Sequence, residues 1–480
     1  MKKLFALFLS AIMVISLVAC GNNSGNTAGN NAGNAVGNNS SDTAANNSSS
    51  TDDSSSEEVT EAVREYPDRE PIYFWFWGAS TDQQEHMKSI LCDWYNNSQD
   101  TYELVLEFRN TVDADIPVAL SAGEGPDIVY ASGPSYTATY AQAGLVLDLT
   151  PYVEQYNWDE RILSVMYDAC TLDGKLYSLP GGLLVGGLFY NTEVFADEGW
   201  EVPTTMDELI ATMDAAKDAG YYPLGAGNKG WKPSNDHFSS MIMNSYLPTS
   251  YIYKALEGEI SFTDPAIVEA VAKTAEWYQA GYLAGEDYVN LDSSEVMQTL
   301  TNKKSAMVAA PSLYFQWIDP AYESSIGFTA MPNTYSDHNV YNVSMTSNYA
   351  INANSDVPDE CAKILDYIYT ADFVSAMNEG WAAYWNLPVK ELADLDSSGL
   401  TGLAKTCLDA VKAAIPEIDA GYFSYHPSTF FPAATMTAFQ DIDTVWQGVV
   451  SAEDFCATVA NELESDISNN LVPPLAEPAV

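Results

Sequence analysis

Six consecutive apolar or aromatic residues, Ile72-Tyr73-Phe74-Trp75-Phe76-Trp77, stand between Pro71 and Gly78. A run this short, with no polar alternation, suits a strand buried on both faces. Such a strand needs helices above and below it, and the next residues supply them. Gly78-Ala79-Ser80 leads into a helix in which Thr81 and Gln84 have capping-box spacing, and Met87, Ile90, Leu91, Trp94 and Tyr95 share one apolar stripe. Tyr102 to Phe108 reads as a second strand, and Pro126-Asp127-Ile128-Val129-Tyr130 as a third. Strand and helix in alternation predict an α/β fold, a mostly parallel sheet flanked by helices.

The pattern continues. Asp173-Gly174 predicts a hairpin turn, and Gly187 to Asn191 a further strand. Thr205 and Glu208 have capping-box spacing for a helix that Gly220 stops. Asp264-Pro265 opens a helix that Gly281 closes. Ser305 to Ala310 and Ile326 to Met331 read as strands, with helices near 358–370, 403–415 and 452–468.

Composition narrows the partners. The chain of 480 residues carries 19 Lys plus Arg against 66 Asp plus Glu, a formal charge of −47. Binding to nucleic acid relies on cations that neutralise phosphates, so a nucleic-acid partner is excluded, as is a basic membrane-binding patch. The 17 Phe, 30 Tyr and 11 Trp offer flat rings that can stack on neutral sugars.

The first residues read as an address. Met1-Lys2-Lys3 is basic, Leu4 to Val18 is almost wholly apolar, and Leu17-Val18-Ala19-Cys20-Gly21 follows. The apolar run is short for a membrane span and fits a signal peptide, 1–19. Leu17 to Cys20 resembles the bacterial lipobox, which implies lipid attachment at Cys20 and stable anchoring to the membrane. Residues 21–56 hold Gly, Asn, Ser, Thr, Ala, acidic residues and a single Val36, and predict a flexible tether within 20–69. About 45 such residues span roughly 35–40 Å. Cys92, Cys170, Cys361, Cys407 and Cys456 are widely spaced; their odd number leaves no complete disulfide set and predicts buried free thiols.

Signatures of catalysis do not surface. There is no H-E-x-x-H, no phosphate-binding glycine loop ending in Lys-Ser/Thr, and no G-x-G-x-x-G after a strand. His86, His237, His338 and His426 stand apart in sequence, so no metal or cofactor is expected. Hydrolysis of glycosides needs two carboxylates roughly 5–9 Å apart, and among 66 acids some pair always exists. Asp113/Asp115 and Asp441/Asp443 read as solvated faces.

A succession of short motifs is more specific. Ala122-Gly123-Glu124-Gly125-Pro126-Asp127-Ile128 is followed by Gly144-Leu145-Val146-Leu147-Asp148-Leu149-Thr150, then Asp173-Gly174-Lys175-Leu176-Tyr177-Ser178-Leu179-Pro180. Leu188-Phe189-Tyr190-Asn191, Pro203-Thr204-Thr205-Met206-Asp207-Glu208-Leu209, Lys304-Ser305-Ala306-Met307, Ile326-Gly327-Phe328 and Gln447-Gly448 come after them. In content and order these resemble the family 1 extracellular solute-binding proteins of ATP-binding-cassette sugar importers, of the maltose/maltodextrin-binding type, over about residues 70–470. Met206 stands where that family commonly has Trp, and Lys303 where it has Gly.

The resemblance implies a two-lobe fold with a ligand cleft between lobes: 70–188 with 332–390 in one, 189–331 with 391–472 in the other. It implies a monomer, with a carbohydrate ligand and permease subunits as partners, on the extracellular face of the bacterial cytoplasmic membrane. Ligand residues are expected just beyond the strands. Trp77 ends the first strand. Ser132 and Ser135 follow the third, where the maltodextrin binders carry Trp, Asp and Arg and this chain has Ala131, Pro134 and Ser135. Ser312 and Tyr314 follow Pro311, where the family commonly places a stacking aromatic. Trp231 lies in a Gly- and Pro-flanked loop, Trp381, Tyr384 and Trp385 form a tight group, and Phe431 stands near a family ligand position. Asp127 is expected to be structural. Two rival readings are a secreted carbohydrate-active enzyme and a same-fold binder of a peptide, polyamine or metal complex.

Overall fold

The computed structural model describes residues 64–283 and 285–480. The expected signal peptide, Cys20 and most of the expected tether lie outside the described residues. Among these residues thirteen strands follow in chain order: β1 (Glu70–Trp77), β2 (Tyr102–Arg109), β3 (Ile128–Ala131), β4 (Thr171–Leu172), β5 (Lys175–Leu176), β6 (Leu179–Pro180), β7 (Leu183–Asn191), β8 (Tyr222–Gly225), β9 (Ser305–Pro311), β10 (Ile326–Thr329), β11 (Tyr341–Met345), β12 (Asn348–Ile351) and β13 (Phe423–Tyr425). They form two main sheets with helices packed around them. One runs β2-β1-β3-β12-β6; the other runs β13-β11-β7-β9-β8, with β10 also on β7. The hairpin expected at Asp173-Gly174 is β4 with β5.

Each sheet is mixed rather than mostly parallel, and the exceptions have one cause. β1 pairs parallel with β2 and β3, and β8 with β9 and β11 with β13 are parallel too. The antiparallel members are β12 in the first sheet and β7 in the second. These are the strands that arrive directly from the other sheet. Gly181-Gly182 joins β6 to β7, and Thr346-Ser347 joins β11 to β12. Two residues leave no room for the helical crossover that parallel return requires, so the chain runs on into the next sheet in the opposite sense. As a result the carboxyl ends of β1, β2 and β3 and those of β8, β9, β11 and β13 all face the crossing region. The change of sheet therefore falls at 181–182 and 346–347, while the reading from sequence drew it at 188/189 and 331/332. β7, all of which lies in the second sheet, shows no break at 188/189, where the reading from sequence divided the lobes.

The two passages are laced together. Gly181 N–H donates to the Ser347 carbonyl at 2.6 Å, and Thr346 N–H to the Gly182 carbonyl at 2.9 Å. Gly182 N–H donates to the Thr346 hydroxyl at 2.8 Å. A Cβ at Gly182 would lie 1.9 Å from the Tyr384 carbonyl oxygen, so only glycine passes there.

Helix starts obey local chemistry. Thr205 and Glu208 form the expected capping box, and Leu209, Met213 and Ala216 of the helix Met206–Asp218 are buried. Asp264 caps Pro265–Gln279, and Ser451 caps Ala452–Ser468. The first helix begins one residue earlier than its spacing suggests. Ser80 keeps an extended backbone, φ −62° and ψ 156°, so its hydroxyl reaches Gln83 N–H and the box is Ser80 with Gln83. All five described cysteines are buried and free, as expected. Asp127 is structural: its carboxylate accepts from Tyr73 N–H at 2.9 Å and from the Ser355 hydroxyl at 2.7 Å, which ties β1 to the chain after β12.

Candidate functional site

Three strands of the second sheet end at one place. Beyond β8 the chain forms a loop carrying Trp231, then a π-helical turn, Ser234–Phe238. Such turns are uncommon and recur at functional sites. The Asn228 side-chain oxygen holds this turn by accepting from Ser234 N–H at 3.0 Å and Asn235 N–H at 3.2 Å. It presents Asp236 and His237 inward. Beyond β9, the turn Ser312–Trp317 presents Tyr314. Beyond β13 comes His426, then the turn Pro427–Phe430 with Ser428.

The side chains converge. His426 Nε2 lies 3.5 Å from Asp236 Oδ1, and His237 Nε2 lies 4.0 Å from Asp236 Oδ2. The two imidazole centroids are 4.8 Å apart. Trp231 stands edge-to-face on His237 at 4.9 Å, and Tyr314 meets His237 edge-on at 5.7 Å. The Tyr314 hydroxyl accepts from Ser293 at 3.1 Å. Asp236 is fully buried, while Trp231 above it is 47% exposed.

The burial of this cluster is electrostatically costly. Both Asp236 carboxyl oxygens, His237 Nδ1 and His426 Nε2 lack a hydrogen-bond partner. Desolvation pushes the Asp236 carboxyl up to about 8; the nearby Ser428 N–H and hydroxyl temper that rise without reaching hydrogen-bond geometry. Desolvation pulls His426 down to about 3 and His237 well below its usual range, the latter helped by His426. The Tyr314 phenol is raised, again by burial. At neutral pH the cluster is therefore a protonated carboxyl facing two neutral imidazoles. The remaining His426 nitrogen, Nδ1, is 2.8 Å from the Ser428 hydroxyl.

The residues singled out from sequence fall into separate places. Trp231 and Tyr314 belong to the cluster just described. Ser132 and Ser135 flank Gly133, where an added Cβ would lie 3.9 Å from the Ser428 carbonyl, so this first-sheet loop adjoins the cluster. Ser132 is exposed and donates to Asp113 at 2.6 Å; Ser135 is half-buried. Trp77 ends β1, partly buried, and its indole N–H donates to the Tyr384 hydroxyl at 2.9 Å. Trp381 packs edge-on against Trp77 at 5.6 Å and is 2% exposed. Trp385 is fully buried, stacked at 5.6 Å on Phe76. Ser312 is buried and accepts from Val185 N–H at 3.2 Å, bracing β7. Phe431 is buried between Phe439, 5.6 Å, and Phe262, 6.2 Å. Of the acidic pairs, Asp115 meets Arg109 at 3.5 Å and Asp441 meets Lys232 at 2.7 Å.

Asp236 and Ser428 were not singled out from sequence, and His237 and His426 were noted there only as isolated histidines. The two histidines, isolated along the chain, are neighbours in space because β8 and β13 end on the same side of one sheet. The one local signal is the adjacent Asp236-His237 pair soon after a strand.

Two lobes joined by crossing strands, with polar and aromatic groups at the facing strand ends, define a binding-protein architecture. Residues 104–373 match the model for bacterial extracellular solute-binding proteins, and the chain belongs to that family. It is 30% identical over 181 residues to the alpha-glucosides-binding periplasmic protein AglE of Rhizobium meliloti (strain 1021), covering 35% of this chain and 39% of that one. It is 26% identical over 144 residues to the maltotriose-binding protein of Pyrococcus abyssi (strain GE5 / Orsay), 30% of each. The matched segments thus span well under half the length of these relatives. Among solved structures, a chitin oligosaccharide binding protein superposes with a TM-score of 0.65 at 18% identity, over 83% of this chain and 100% of that one. A cyclo/maltodextrin-binding protein complexed with maltotetraose gives 0.62 at 15%, over 83% and 97%. At these identities the likeness concerns the fold.

Proposed function

We propose that this protein is a lipid-anchored, monomeric solute-binding protein that captures a sugar or oligosaccharide and delivers it to an ATP-binding-cassette importer. It works on the extracellular face of the bacterial cytoplasmic membrane, held through Cys20. The observation that carries the reading is Trp231. A large ring left half-exposed at a strand end, above buried hydrogen-bonding groups, is a platform for the C–H face of a sugar. The names of relatives that bind alpha-glucosides and maltotriose support it.

Capture proceeds by closure. The solute touches the second lobe at Trp231 and Tyr314 and the first lobe at Ser132, Ser135 and Trp77 only when the lobes close on it. That differential contact shifts the population toward the closed state; moving it from 1:99 to 99:1 takes about 5.5 kcal/mol. No bond is made or broken. A thermal-shift screen over mono- and oligosaccharides tests the reading, because a ligand at 100 times its dissociation constant stabilises by about 2.7 kcal/mol. A panel of sugars without effect, or a shift with a peptide or polyamine instead, overturns it. New reducing ends from a bound glycan would show an enzyme.

A further inference from the structure

We propose that Asp236, His237 and His426 bind one divalent transition-metal ion of the zinc class beneath Trp231. The proposal stands independently of which solute the lobes hold.

The donor set comes first. Two imidazoles and one carboxylate suit zinc and its first-row neighbours, whereas calcium and magnesium prefer all-oxygen shells. One ligand atom from each of the three residues can be chosen so that all lie within 4.8 Å of one another. Two atoms each 2.0–2.1 Å from a tetrahedral ion stand about 3.4 Å apart. The 3.5 Å between His426 Nε2 and Asp236 Oδ1 already has that spacing, and the 4.0 Å between His237 Nε2 and Asp236 Oδ2 needs only a small side-chain turn.

The outer contacts agree. With His426 Nδ1–H donating to the Ser428 hydroxyl at 2.8 Å, the Nε2 lone pair points at Asp236. A partner on the far imidazole nitrogen is the usual means of orienting a metal-bound histidine. The cluster is built on strand ends and a hydrogen-bonded turn, so its geometry is held before any ion arrives.

The unmet groups supply the reason. Four buried polar atoms of these three residues, both Asp236 oxygens, His237 Nδ1 and His426 Nε2, lack a partner. The hydrogen bonds that these buried atoms could make are not made, and each atom left unpaired costs free energy. A single cation held by Asp236, His426 Nε2 and His237 Nε2 serves the Asp236 oxygens and His426 Nε2, and leaves His237 Nδ1 as it is. Three protein donors leave a coordination position for a water or solute oxygen.

The test uses the full chain, treated with chelator and titrated calorimetrically with Zn2+ alone, then with Co2+ read by visible absorption. One ion per chain is expected, with the intense bands of a tetrahedral cobalt site. His426→Ala and Asp236→Asn should each weaken Zn2+ binding by 100-fold or more. If a variant fails to fold, the unaltered protein decides: Zn2+ should shift the NMR resonances of the His237 and His426 rings and leave those of His86 and His338 in place. Absence of zinc heat and cobalt bands overturns the proposal. So does equal affinity in folded variants, or competition by Ca2+ at matched concentration, which would place the ion on surface carboxylates. Tight carbohydrate binding in chelator with zinc silent would assign the unpaired atoms to the solute and also sink it. Zinc binding in the absence of any sugar response would refute the carbohydrate reading alone.

Discussion

Replacing Trp231 by alanine separates a binding ring from a structural one. About half of this side chain is in solvent, and among the described residues its one ring contact is the edge-to-face pair with His237 at 4.9 Å. A fully buried Trp loses about 3–5 kcal/mol of stability on truncation, so a half-buried one loses about 2 at most. Binding should suffer more visibly. A sugar face laid on an indole removes roughly 80 Å² of combined apolar surface from water, worth about 2 kcal/mol at ~25 cal/mol per Å². That is about a 30-fold rise in dissociation constant, since 1.4 kcal/mol is tenfold. The assay is calorimetric titration of Trp231→Ala with the saccharide giving the largest thermal shift, beside thermal melts without ligand. Trp385→Ala is the contrast: fully buried against Phe76, it should lose 3–5 kcal/mol of stability. An unchanged dissociation constant in Trp231→Ala would refute the platform argument, whatever the melts show.

Gly182→Ala puts a methyl 1.9 Å from the Tyr384 carbonyl and should cost about 1–3 kcal/mol by urea unfolding; an unaltered midpoint would mean the passage between sheets yields freely. Asp236 keeps its proton to about pH 8 when folded, whereas unfolded chains lose it near 4, so its contribution to stability is lost as pH rises toward 8. His426, held near 3, and His237, held well below its usual range, act oppositely: their contribution is present above about 6.5 and lost on acidification. Above pH 6.5 the histidine contribution is level, so Asp236 alone gives a fall in stability from pH 6.5 to 8, roughly 2 kcal/mol, that Asp236→Asn should abolish in chelator-treated protein. Urea midpoints at the two pH values measure it, and parallel curves for both proteins would contradict the burial argument. Cys20→Ala should move the protein from the membrane fraction to the medium, and retention would disprove lipid anchoring.

Much of the fold was legible because its determinants are local. The apolar run before Trp77, the Thr205–Glu208 box and the Asp264-Pro265 start each act within a few residues, and each appears where the spacing placed it. The order of short motifs pointed to the family for the same reason. Direction and partnership of strands were not legible. Whether β7 pairs in one sheet or the other depends on Gly181-Gly182 meeting Thr346-Ser347, residues far apart in the chain. The aromatics show the same divide. Trp231 and Trp385 are equally apolar, yet one faces solvent and the other fills a core, because exposure depends on what the rest of the chain lays over each ring. The cluster of Asp236, His237 and His426 is the extreme case. Its members are unremarkable along the sequence and become a site only when two strand ends, nearly two hundred residues apart, are drawn to one side of a sheet, where burial removes their water and proximity sets their charge.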